Sequence, residues 1–150
     1  GGQLPGHVFK ARPGEVLVLQ AELQLAVRDP VEYLEVIHNG KVHYSARLDE
    51  FAKAGGMLPP VNAKESGWVT IRVVTLYEDH FRAAMSAPWY IEFEGQPRVT
   101  RKSVEFFRQW LTDYEDRLKQ LPAEELQRHV PFVRAARKFW TRKAEQVTPN

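Results

Sequence analysis

All nine glycines of the chain lie before residue 97, and the hydrophobic period changes at the same place. Before it, apolar residues recur every second position; after it, every third or fourth. A period of two puts side chains on alternate faces of a strand, and a period near 3.6 gathers them on one face of a helix. A chain that switches once between them divides into a β-rich part, residues 1–97, and a helical part, residues 98–150. The charge divides there as well: the first part carries 9 basic and 12 acidic side chains, the second 12 basic and 7 acidic.

Over all 150 residues the formal charge is only +2, so the composition does not point to a nucleic-acid partner. Hydrophobic residues make up 43% and charged residues 27%, the mix of a folded globular chain. No apolar run approaches the roughly 20 residues a membrane helix requires. Cysteine is absent, which removes disulfides, thiolate nucleophiles and cysteine-ligated zinc or iron–sulfur sites. Gly1 stands where an initiating Met would and reads as a scar of tag removal. The chain is therefore expected to be a segment of a longer protein.

In the β-rich part, Glu15–Val27 alternates through Ala21, Leu23, Leu25 and Val27, with a bulge expected near Leu19 and Gln20. Asn39-Gly40 separates two β-prone runs, Val31–His38 and Lys41–Leu48, and marks a hairpin with φ > 0 at both turn residues. Trp68–Tyr77, Trp89–Glu94 and a short first strand over His7–Ala11 complete the set. Asp49–Ser66 reads as a long connection after one helical turn near Leu48–Ala54. Six or seven short antiparallel strands predict a small sandwich of immunoglobulin-like character.

In the helical part, Val104, Phe107, Leu111, Tyr114, Leu118 and Leu121 recur at spacings of three and four. Thr100 is the expected N-cap. Phe106 and Trp110 form a second stripe, so this helix is expected to be buried on two sides. Pro122 opens a second helix at its first position, with Phe132, Val133, Ala136, Phe139 and Trp140 on one face. Pro131 predicts a kink or break near His129-Val130. The helical pair is expected to pack on the sandwich, the two forming one cooperative unit.

Few residues carry a chemical signal. His38 and His43 fall near each other across the expected hairpin, with Val36 facing His43. They make half a metal site at best, since no third ligand accompanies them; a solvated hairpin tip is the expected state. Glu78-Asp79-His80 reads as polar turn chemistry, and a triad of Ser86, His80 and Asp79 lacks the strand–turn–helix context such a nucleophile needs. No phosphate-cradling glycine loop occurs. Arg134, Arg137, Lys138, Arg142 and Lys143 fall largely on one helical face, suited to an anionic partner or simply to the C-terminal half of a helix. Trp89 and Tyr90 are consecutive on a strand, so one of them must leave the core face. That residue is the candidate for an exposed aromatic contact with a glycan or small molecule. No catalytic residue, metal or cofactor is expected.

Three stretches carry a resemblance: Val31-Glu32-Tyr33-Leu34-Glu35-Val36-Ile37-His38-Asn39-Gly40-Lys41-Val42, Ser66-Gly67-Trp68-Val69-Thr70-Ile71-Arg72-Val73 and Ala84-Met85-Ser86-Ala87-Pro88-Trp89-Tyr90-Ile91-Glu92-Phe93. Together they resemble the C-terminal accessory region of CehA/McbA-type metallohydrolases, of the PHP (polymerase-and-histidinol-phosphatase) superfamily. Phe106-Phe107 with Trp110, and Ala135-Ala136-Arg137 with Phe139-Trp140, are similar to the helical tails of such bacterial proteins. The family's metal-binding barrel is not in this sequence. The resemblance implies a non-catalytic accessory module whose partner is an N-terminal catalytic domain of the same parent chain. It also implies an extracytoplasmic setting.

Overall fold

A computed structural model describes residues 2–75, 79 and 81–148 of the chain. The described residues form two compact units that divide between Pro97 and Arg98.

The first unit holds eight strands and one short helix: β1 (Val8–Ala11), β2 (Leu17–Leu19), β3 (Val31–His38), β4 (Lys41–Arg47), α1 (Leu48–Lys53), β5 (Val61–Ala63), β6 (Gly67–Thr75), β7 (Ala83–Met85) and β8 (Trp89–Phe93). Its larger sheet has the order β1-β8-β6-β3-β4, with β7 beside the far end of β6. A second sheet contains β2 and β5. Leu34 and Val36 of β3, Val69 and Ile71 of β6 and Ile91 of β8 are buried in one cluster with Val61 and Ala63 of β5 and Phe51 of α1. Leu17 and Leu19 of β2 pack against the same cluster. The result is a sandwich-like arrangement in which a large sheet is faced by a small one and a helical turn. The pairing is mostly antiparallel, but β1 runs parallel to β8, from Val8 beside Tyr90 to Ala11 beside Phe93.

β7 and β8 are two pieces of one strand position beside β6. They pair with different halves of β6, and Pro88 between them has no amide to donate. Ser86 bridges the gap. Its amide donates to the Ile71 carbonyl at 2.9 Å, and its hydroxyl accepts from the Ile71 amide at 3.1 Å. The Thr70 hydroxyl donates to the Ser86 carbonyl at 2.9 Å. β7 escapes a sequence reading because Ala83-Ala84-Met85 has no β-branched residue.

The expected strand over Glu15–Val27 is mostly corrected: only Leu17–Leu19 is laddered. Leu17 pairs with Ala63 and Leu19 with Val61. The same register would set Gln20 and Ala21 against Pro60 and Pro59, which cannot supply ladder amides. The Gln20 side chain instead donates to the Leu58 carbonyl.

The hairpin forms with Asn39 at φ +52° and Gly40 at φ +80°, as its sequence requires. His38 pairs with Lys41, but a register shift after Val36 sets Tyr44, not His43, opposite Val36. The turn is also bound to β6. The Asn39 amide donates to the Trp68 carbonyl at 3.0 Å, and the Trp68 amide donates back to Asn39 Oδ1 at 2.9 Å. The Asn39 carboxamide lies where Gly67 has no Cβ: one placed there would come within 2.2 Å of Oδ1. Gly40→Val puts a β-branched residue at a left-handed position and is expected to destabilise by about 1–3 kcal/mol. Replacing exposed His43 by Ala should stay within about 0.5 kcal/mol. Urea unfolding of both variants checks the contrast.

The second unit is a helical hairpin of α2 (Arg101–Leu118) and α3 (Ala123–Glu145). Thr100 caps α2, its hydroxyl accepting from the Ser103 amide at 3.2 Å. Pro122 takes the cap position of α3 and not its first turn. Of the kink or break expected near His129-Val130, a break does not occur: α3 runs unbroken through Pro131. A proline removes one backbone donor, and here cross-helix bonds hold both sides of it. Tyr114 Oη lies 2.9 Å from His129 Nδ1 on one side, and Arg137 grips both carboxylate oxygens of Glu115 on the other. Phe107 stacks on Trp140 with centroids 4.5 Å apart. The Thr148 amide and hydroxyl both donate to the Val99 carbonyl, tying the ends of the unit together.

Candidate interaction surfaces

The residues singled out from sequence fall on separate surfaces. His38 is half-buried at the turn end of β3, beside Val69, and His43 is exposed on β4. Their ring centroids are 6.5 Å apart, edge to face. His43 Nε2 lies 3.2 Å from the Pro60 carbonyl. His43 is thus exposed at the hairpin, whereas His38 is half-buried beside it. Among the described residues no group of three His, Asp or Glu side chains is placed to hold a metal ion. Ser86 is engaged with Thr70 and Ile71 of β6 in the gap between β7 and β8. Glu78 and His80 lie outside the described residues, as do Leu76 and Tyr77 at the end of the expected strand Trp68–Tyr77.

Trp89 and Tyr90 divide as alternation requires. Trp89 packs against the core cluster, and its Nε1 donates to the Gln3 carbonyl at 3.0 Å. Tyr90 is the one that leaves: it is 44% exposed. On that outer face it stands between Val8 of β1 and Trp68 of β6. The paired Lys10 and Glu92 lie one step along the same face. The arrangement is a small aromatic platform with a charged border.

Deeper on the same face lies a group that sequence reasoning missed. Glu35 sits opposite Arg72 across β3 and β6. Arg72 Nε and one terminal nitrogen reach the same carboxylate oxygen at 2.7 and 2.5 Å. The Glu35 side chain is only 9% exposed and that of Arg72 32%. Nothing in the sequence links residues 37 positions apart; only strand register does so.

On α3, Arg134, Arg137, Lys138 and Arg142 are all exposed. Arg137 is committed to Glu115, whose hydrogen bonding and charge raise its pKa above the ordinary guanidinium value. Lys143 lies 5.8 Å above the Phe139 ring and bonds Gln146. The basic face is thus reduced to Arg134, Lys138 and Arg142.

The helical unit also carries exposed aromatic rings. Phe106 and Trp110, expected to be covered as a second buried stripe, are 63% and 57% exposed. Phe132 and Phe139, expected on one face of the second helix, are also exposed. Rings touch in sequence from Phe106 and Trp110 through Phe107 and Trp140 to Phe139, with centroids 4.5 to 6.5 Å apart. Phe132 stands two turns before Phe139 on the same face of α3. One flank of the helical hairpin is therefore lined by large apolar rings.

Two hollows on the helices are open and polar. One of about 430 Å³ is lined by Arg108, Thr112, Arg137 and Thr141, among others, and one of about 460 Å³ by Glu124, Glu125, Arg128 and His129 among others. No helix among the described residues is long and apolar enough to cross a membrane. Comparison with family models, with curated proteins and with solved structures finds no match to this chain.

Proposed function

We propose that this chain is a non-catalytic accessory module that docks, through the aromatic flank of its helical hairpin, on the catalytic domain of a larger metal-dependent hydrolase. The exposed rings of Phe106, Trp110, Phe132 and Phe139 carry the reading. Monomers seldom leave apolar surface of that kind contiguous, and Trp and Phe at the centre of a contact dominate its energy. The resemblance of the strand motifs to the accessory region of CehA/McbA-type hydrolases supplies the partner. An immunoglobulin-like identity for the sandwich is supported by its strand order. β4, β3, β6 and β8 follow one another as C′, C, F and G strands do, with β2 and β5 opposite as B and E.

The test is binding in trans between this chain and the hydrolase domain encoded in the same reading frame. F106S/W110S is expected to weaken that binding at least tenfold, since a truncated hot-spot aromatic costs about 2 kcal/mol or more. Unchanged binding, or a reading frame without a hydrolase domain, defeats the proposal. The exposed Tyr90 beside Trp68, with Lys10 and Glu92 at its border, favours a second reading as a glycan-binding sandwich. Retention on immobilised polysaccharide that is lost in Tyr90→Ala would select it.

A further inference from the structure

The stretch after β2 keeps the pattern of a strand without the ladder of one. Ala21 and Leu23 pack against the core, while Leu25 and Val27 continue the alternation into solvent. Among the described residues, no backbone-to-backbone hydrogen bond involves residues 21–28. Continued past Leu19, the β2–β5 register meets Pro60 and Pro59 opposite Gln20 and Ala21, so β5 offers no ladder that could run on into residues 22–28. An extended edge with free amides and carbonyls and alternating apolar side chains is a template for strand addition.

We infer that residues 22–28 pair with the same residues of a second copy of this chain, as antiparallel strands about a two-fold axis at Leu25. The sequence is self-complementary in that register. Glu22 falls opposite Arg28 twice, Leu23 opposite Val27 twice, and Gln24 opposite Ala26 twice. Leu23, Leu25 and Val27 share one face, and Glu22, Gln24, Ala26 and Arg28 the other. No like charges meet. Neighbouring Asp29 does not compete for Arg28, because its carboxylate is held by Arg82 at 2.9 Å. Such a contact is isologous and closes at two copies.

The arrangement is tested by charge exchange, followed by sedimentation equilibrium of the whole chain. The unaltered chain is expected to dimerise. Glu22→Arg alone sets Arg against Arg, and Arg28→Glu alone sets Glu against Glu. Each should raise the dissociation constant about tenfold, because opposed like charges destabilise a strand pair and the symmetry counts each pair twice. The double variant E22R/R28E should recover the dimer. An equimolar mixture of the two single variants should form a mixed dimer that neither forms alone. Glu22 and Arg28 are exposed, so all variants should keep the parent circular dichroism. A chain still monomeric at about 1 mM overturns the inference. So does a dimer indifferent to the exchanges, which would lie on another surface such as the aromatic flank.

Discussion

Arg72→Met is expected to destabilise the first unit by about 3–5 kcal/mol, read as a shift of the urea midpoint. The substitution keeps much of the side chain's apolar length and removes its charge. It leaves the Glu35 carboxylate almost fully buried without the guanidinium that binds one of its oxygens. A buried charge stripped of its partner loses its compensation but not the cost of leaving water. The double variant E35L/R72M removes both charges and should return to within about 1–2 kcal/mol of the parent, since apolar replacements for a buried pair are often neutral or better. If R72M and the double variant unfold alike, the pair has no such coupling and the loss is one of packing alone.

Leu34→Ala is expected to cost about 4 kcal/mol, in the upper part of the range for large-to-small core changes. The cost depends on how far neighbours can move into the space. Leu34 is fully buried in the middle of β3, between Ala46 of β4 and Val73 of β6. Its strand neighbours Glu35, Val36 and Ile37 are buried as well, so β3 is enclosed on both faces at its centre. Collapse would have to displace a ladder bonded on both sides. Calorimetric or denaturant unfolding that gives less than about 2 kcal/mol would mean that the core is looser than its burial implies.

The parts legible in the sequence were those set by local rules. Asn39-Gly40 specified its turn, Thr100 its cap, and the 3-4 spacing from Val104 to Leu118 its helix. What could not be read depended on partners distant in the chain. The truncation of the strand after Leu19 follows from two prolines about 40 residues on. The continuity of α3 through Pro131 follows from bonds to Tyr114 and Glu115 on another helix. The exposed stripes on the hairpin were misread because periodicity reports which residues share a face, not whether anything covers it. The candidate surfaces were only partly visible for the same reason. Alternation showed that Trp89 and Tyr90 must part, but which turned outward was decided by the register with β6. The three stretches that carried the resemblance have architectural work. Asn39 binds Trp68, Ser66 Oγ accepts the Phe93 amide at 2.9 Å, and Ser86 bridges the gap between β7 and β8. Such motifs speak to the fold more directly than to any chemistry.

The union of Asn39 with Gly67 also acts as an alignment check. Sliding β6 by one residue brings Ser66 or Trp68 into the place of Gly67, and either would drive a Cβ into the carboxamide that now lies there. A slip of one residue also turns every core side chain of a strand toward water, but that cost is felt only once the opposing sheet is in place. The clash at Asn39 needs nothing beyond the turn and the incoming strand. Misaligned pairings can therefore be rejected while the chain is still mostly open, before the small sheet and α1 have closed over the core. Positions 39 and 67 should then vary together: a side chain at 67 is tolerable only where residue 39 gives up its carboxamide, and with it the early rejection of a shifted strand.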